Sequence, residues 1–191
     1  MPVTLPDAEE FSDMLGLLLG DPVELSPGEP FGETARDDVY CSFLSDDGGE
    51  VLGAIEADLP AVVYLGGSLI MLPENALRAQ AEDGDVSAHV MDAFQEVVNT
   101  LRSTLNHIRE NPHVSPGPLQ IVTDEIAGEH AWISDPAETV ALEGEFPIGR
   151  GLPYLDVQLL FKFCQHIFCS SYIACSTCTD GYREFTLGDH G

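Results

Sequence analysis

Between residues 85 and 110 the apolar positions recur at helical spacing over a long run, so that Phe94, Val97, Val98, Leu101, Leu105 and Ile108 share one stripe when each residue advances about 100°. The opposite stripe carries Asp92, Glu96, Asn99, Ser103 and Asn106. Burial of the first stripe against a sheet holds such a helix in place and forces the second outward. The Glu96 carboxylate and the Asn99 carboxamide are then neighbours on an accessible ridge, because residues three apart face the same way on a helix.

The flanking sequence supplies the sheet. Asp7 as N-cap, with Phe11, Met14, Leu15 and Leu18 behind it, predicts a helix over 7–19 that Gly20 and Pro22 end. The stretch 26–32 is rich in Pro and Gly and reads as a loop. Val39 to Leu44 and Val51 to Ala57, on either side of Asp46-Asp47-Gly48-Gly49, read as a β-hairpin. Residues 59–72 support two readings. Val62, Val63 and Tyr64 favour a strand, whereas Asp58 followed by Leu59-Pro60 has the form of a cap with an early helical proline. An acidic loop is expected at 82–85, and Pro112, Pro116 and Pro118 break the chain after the long helix. Leu119 to Thr123, Glu138 to Phe146 and Tyr154 to Phe163 read as strands, with Leu155, Val157, Leu159 and Phe161 alternating in the last. These elements predict an α+β fold, a mostly antiparallel sheet packed against two or three helices. The 191 residues suit one domain of ordinary size.

Charge limits the function classes. With 33 acidic residues against 7 basic ones the formal net charge is −26, and Lys162 is the only lysine. Nucleic acid and anionic membranes need a basic surface to meet their phosphates, so neither is an expected partner. The acidity fits either a salty cytoplasm, where self-repulsion is screened, or a surface that meets a basic partner. No run approaches the roughly 18 apolar residues of a membrane span. Asp7, Glu9 and Glu10 stand where a secretory signal would carry Lys or Arg, and a cytoplasmic location is expected.

The helix and its surroundings resemble a known family. Asp92-x3-Glu96-x2-Asn99 is similar to the helix motif of the CheC/CheX/FliY chemotaxis phosphatases, and Pro60 to Leu72, with Gly66-Gly67 and Ile70-Met71-Leu72, occupies the place of the small-residue helix that precedes it in that family. Thr100-Leu101-Arg102 departs from the pattern, since the family often shows Met and then Gly after the asparagine. Pro112, Pro116 and Pro118 also stand closer to Asn99 than the motif's proline does in that family. The resemblance covers about residues 5–163; residues 1–163 are taken as a CheX-like domain, with 164–191 as a Cys-containing tail. It implies binding of a phosphorylated CheY-like receiver domain and hydrolysis of its aspartyl-phosphate. Asn99 would orient the attacking water, Glu96 would pair with a receiver lysine, and Asp92 and Ser103 would contact the partner. An acyl phosphate is already activated, so positioning suffices. The protein would need no cofactor of its own, the magnesium being supplied by the receiver. With one motif helix the comparison is to the single-site CheX type, which pairs as a homodimer. The alternative that the resemblance allows is a non-catalytic adaptor or flagellar-switch-type module of the same fold.

Other constellations support plainer readings. Only 3 of the 33 acidic residues lie in 157–191, and four of the five cysteines, Cys164, Cys169, Cys175 and Cys178, fall in this tail beside His166. Their donor types and the Cys175-x2-Cys178 spacing form an alternative zinc set, which would make the chain a zinc-tailed structural protein. A tail that packs or trails without chemistry is the simpler expectation. His89, His107 and His113 read as surface or packing residues, Asp124-Glu125 and Glu129-His130 as a solvated turn near Gly128, and Gly66-Gly67 as a point of close packing or a strand bend.

Overall fold

The computed structural model describes residues 4–29, 39–133, 136, 138–146 and 155–163. The chain opens with α1 (Ala8–Leu19), started by a capping box in which the Asp7 carboxylate accepts from the Glu10 N–H while the Glu10 carboxylate accepts from the Asp7 N–H. Gly20, at φ 77°, ends it. Next come β1 (Glu24–Pro27), β2 (Val39–Ser45) and β3 (Val51–Asp58). β2 and β3 form the expected hairpin around Asp46, whose Oδ1 accepts from Gly48 and Glu50 N–H. β1 lies partly where a loop was expected, because residues 24–27 pair with a later strand that local composition does not reveal.

At Asp58 the cap-and-proline reading wins over the strand reading. The Asp58 carboxylate accepts from Ala61 N–H and opens α2 (Leu59–Leu69). Residues 61–67 are all buried, which explains the ambiguity, since a helix covered on every side shows no amphipathic period. Sequence reasoning passed over α3 (Glu74–Asp83), which buries Leu77 alone, and the acidic loop is shortened to Gly84 and its followers. α4 (Ala88–His107) is the long helix. After it β4 (Ser115–Pro116) and β5 (Gln120–Ile121) make short pairings with β2. The expected turn at 124–130 is instead α5 (Asp124–Glu129), capped by the Thr123 hydroxyl and followed by a 3-10 turn at Ala131–Ile133. β6 (Glu138–Phe146) and β7 (Leu155–Phe163) close the described chain.

The strand order is β1-β6-β7-β3-β2-β4, with β5 also on β2, and every pairing is antiparallel. One face of the sheet meets α1, α2 and α4 in a core of Phe11, Leu15, Leu44, Ile55, Leu65 and Phe94 among others. On the other face a smaller cluster of Val39, Cys41, Ala54 and Val122 lies under Phe43, Ala127 and Trp132. The α+β architecture of an antiparallel sheet with helices against it is therefore as the sequence predicts. No helix among the described residues is long and apolar enough to cross a membrane. The tail, with its alternative zinc set and His166, lies outside the described residues.

Candidate functional site

α4 buries Val90, Ala93, Phe94, Val97, Val98, Leu101 and Leu105. At about 1.5–3 kcal/mol for each large apolar side chain, that stripe fixes the helix firmly to the core. Gly66 of α2 lets it come close: a Cβ there would stand 2.5 Å from the Val90 carbonyl oxygen and 3.1 Å from the Phe94 Cβ. The paired glycines are thus a helix-packing device.

Side-chain amides then fasten α4 along its length. The Ser87 N–H donates to Gln80 Oε1 at 2.7 Å, holding the helix start to α3. Gln95 Oε1 accepts from the Leu119 N–H at 3.0 Å. Asn106 makes a two-way clamp on Val114, donating to its carbonyl at 2.9 Å and accepting from its N–H at 3.0 Å. Asn111 donates to the carbonyls of Leu105 and Thr4. Asn106 therefore corrects the sequence reading, which placed it on the outward stripe. Its carboxamide is taken up by the segment that follows the helix.

The ridge itself is arranged differently. Asp92 and Glu96 are exposed, and Asn99 and Ser103 are half-buried beside them. The Ser103 hydroxyl donates to the Thr100 carbonyl at 2.8 Å, and the Thr100 hydroxyl donates to the Glu96 carbonyl at 2.9 Å, so both return to the helix backbone. His107 Nδ1 lies 2.6 Å from the Ser103 carbonyl. Among the described residues the side chains of Asp92, Glu96 and Asn99 have no hydrogen-bond or ion-pair partner. α4 contains three side-chain amides, Gln95, Asn99 and Asn106, and Asn99 alone is not used to hold the helix.

A carboxylate and a carboxamide one turn apart on a rigid helix can receive a cation and orient a water molecule, since the amide offers both donors and an acceptor. A shallow depression of about 570 Å³, lined by Glu74, Asn75, Arg78, Ala79 and Glu82 on α3, shares no residue with the ridge. Beside that depression burial pushes the Tyr64 phenol above its ordinary range, against the pull of Arg78 and with help from Glu82 and Glu74. His89 and His107 are exposed, and exposed His113 lies 3.3 Å from Asp47. No group of His, Cys, Asp and Glu among the described residues is placed to hold a metal. Sequence reasoning missed the fastening role of Gln80, Gln95 and Asn111. Their partners are backbone groups of other segments, and nothing in a periodic pattern marks them.

No protein-family model matches the sequence, and no curated protein matches it. Solved structures do. A chain of the crystal structure of the FliM–SpeE complex from H. pylori superimposes with a TM-score of 0.55 at 11% identity, over 83% of this chain and 82% of that one. A chain of the FliG–FliM complex from H. pylori does so with a TM-score of 0.53 at 11% identity, over 81% and 86%. The fold is of the type found in these FliM complexes. The CheX–CheY–BeF3–Mg complex from Borrelia burgdorferi superimposes with a TM-score of 0.47 at 15% identity, over 84% of this chain and 99% of that one. At such identities the likeness is one of architecture, so the use of this fold has to be read from its own residues.

Proposed function

We propose that the α4 ridge docks a phosphorylated CheY-like receiver domain and promotes hydrolysis of its aspartyl-phosphate. The observation that supports this is the contrast along one helix: Gln95 and Asn106 are spent on holding it, while Asp92, Glu96 and Asn99 stand unpaired among the described residues on its outer face. Polar side chains fixed on a rigid element but left without partners are suited to contacts that form only in a complex. Glu96 would take a lysine of the receiver. Asn99 would enter beside the phosphoryl group and hold a water in line, with Asp92 and Ser103 as flanking contacts. The receiver would bring its own magnesium, and a transient complex, with this chain alone or as a homodimer, would suffice. Positioning of this kind is sensitive, since a misplacement of about 1 Å can cost on the order of 100-fold in rate.

The test is the decay of phosphate from a phosphorylated receiver, with the protein and with Asn99→Ala, at low and high salt. Decay faster than the receiver's own, abolished in Asn99→Ala and strengthened by salt that screens the charge of −26, supports the reading. Unchanged decay with every receiver overturns hydrolysis. Because the FliM chains that share the fold come from complexes with FliG and SpeE, a second reading is a module that binds a protein partner without turnover. Capture of a receiver with no acceleration would select it.

A further inference from the structure

α4 carries one arginine or lysine, Arg102, and it is placed oddly for an ordinary surface cation. The chain offers 33 carboxylates to 7 basic side chains, so an arginine here should find an acid with ease. Arg78 does so, meeting Glu74 at 3.2 Å one turn back. Arg102 does not. Its Nε is buried without a hydrogen-bond partner, and no ion pair reaches it among the described residues. The side chain is half-buried, and its two terminal nitrogens are not sealed in the same way. Arg102 follows Asn99 by one turn, on the flank where Gln95 and Asn106 hold Leu119 and Val114. A guanidinium with its inner edge sealed and unsatisfied costs the free protein stability, while its open edge keeps the N–H donors of the two terminal nitrogens available to a planar oxyanion.

We propose that Arg102 is the cationic contact of the docking ridge and that it takes a side-chain carboxylate of the docked receiver in a fork of two N–H donors. The inference rests on the proposed function and adds to it the chemistry that selects the partner. Glu96 and Arg102 then present opposite charges on adjoining strips of one helix, so a partner must offer a cation and a carboxylate at matching separation. An arginine is suited to this because its planar fork fits a carboxylate, which a lysine ammonium does not. The contact lies one turn beyond Asn99, on its other side from Glu96. Arg102 thus governs affinity and partner choice and leaves the chemical step alone.

The experiment compares the full chain with Arg102→Met and Arg102→Lys in three measurements: thermal unfolding, affinity for the receiver in phosphorylated and unphosphorylated forms, and KM and kcat of phosphate release. Arg102→Met removes the unsatisfied Nε and keeps the aliphatic stem, so its Tm is expected to equal or exceed that of the parent. Its affinity for both receiver forms is expected to fall by about tenfold or more, through KM with kcat unchanged, and Arg102→Lys is expected to recover only part of the loss. A structural role would instead lower the Tm. A loss confined to the phosphorylated receiver, or to kcat, assigns Arg102 to the phosphoryl group and overturns the carboxylate contact. Tight binding by the parent that Arg102→Met leaves within about twofold overturns this inference alone. Failure of the parent to bind any receiver overturns the reading of the ridge and this inference with it.

Discussion

Gly66→Ala tests how α4 is seated. An alanine Cβ at this position would stand 2.5 Å from the Val90 carbonyl oxygen, 3.1 Å from the Phe94 N and 3.1 Å from the Phe94 Cβ. Two of these three atoms belong to the backbone of α4 and cannot rotate away. Relief requires the two helices to part by most of an ångström along a contact that is otherwise fully buried. Overpacking of that kind costs about 1–3 kcal/mol, and the unyielding backbone argues for the upper end. Replacing a helical glycine with alanine returns about 1 kcal/mol through propensity. The net expectation is a loss of about 2 kcal/mol, or roughly 4–8 °C in Tm for a chain of this size. Chemical denaturation followed by circular dichroism, with Gly67→Ala alongside, is the measurement. At Gly67 the added Cβ meets the Cδ2 end of Leu77, which can turn, so a smaller loss is expected there. A Gly66→Ala protein as stable as the parent, or a larger loss at Gly67, would refute the claim that backbone contact between α2 and α4 sets the helix position.

Further expectations follow from the same geometry. Met71 is 89% exposed and holds φ 56° just after α2, with its N–H donating to Ser68 O and the Leu72 N–H to Gly67 O, a helix ending that favours glycine. Met71→Gly is expected to stabilise by about 0.5–1 kcal/mol in equilibrium unfolding, and a loss would show that the side chain packs. Burial raises the Tyr64 phenol pKa in the folded chain, so the fold favours the neutral form. That contribution is complete below the ordinary tyrosine value near 10 and is lost as pH rises through the higher folded value. Tyr64→Phe is therefore expected to flatten the fall in stability above about pH 10, and an unchanged alkaline limb would contradict it. Glu96→Ala and Asn99→Ala should each lie within about 0.5 kcal/mol of the parent, because neither side chain has a partner to lose among the described residues. A drop of 2 kcal/mol or more in either would mean that the ridge supports the fold.

Much of this was legible in the sequence where local rules and tertiary packing agree. Asp7 with Glu10 opens a helix by a capping box, and Asp46-Asp47-Gly48-Gly49 turns a hairpin, because the groups involved are near neighbours. The long helix was legible because its core side is continuous and its other side polar. α3 was not, since a helix that buries Leu77 alone leaves almost no periodic signal. β1 and β4 are held by distant partners, and their extended form comes from the sheet rather than from their own residues, whereas β5 falls inside the strand expected at Leu119 to Thr123. At the site, spacing placed Asp92, Glu96 and Asn99 on one ridge. It also placed Asn106 there, because a period of about 3.6 residues says which way a side chain leaves the helix and nothing of the passing segment that it clamps. Arg102 was invisible for a related reason. Its interest lies in a partner it lacks, which only the folded chain displays.

The most direct test of the ridge is a footprint: amide resonances of the isotopically labelled chain followed as an unlabelled phosphorylated receiver is added. Shifts and broadening gathered on Asp92, Glu96, Asn99 and Ser103, with α3 over Glu74–Asp83 quiet, are expected if the outer face of α4 is the working surface. Perturbations gathered on α3 or on the edge strand β1, with α4 unmoved, would contradict it.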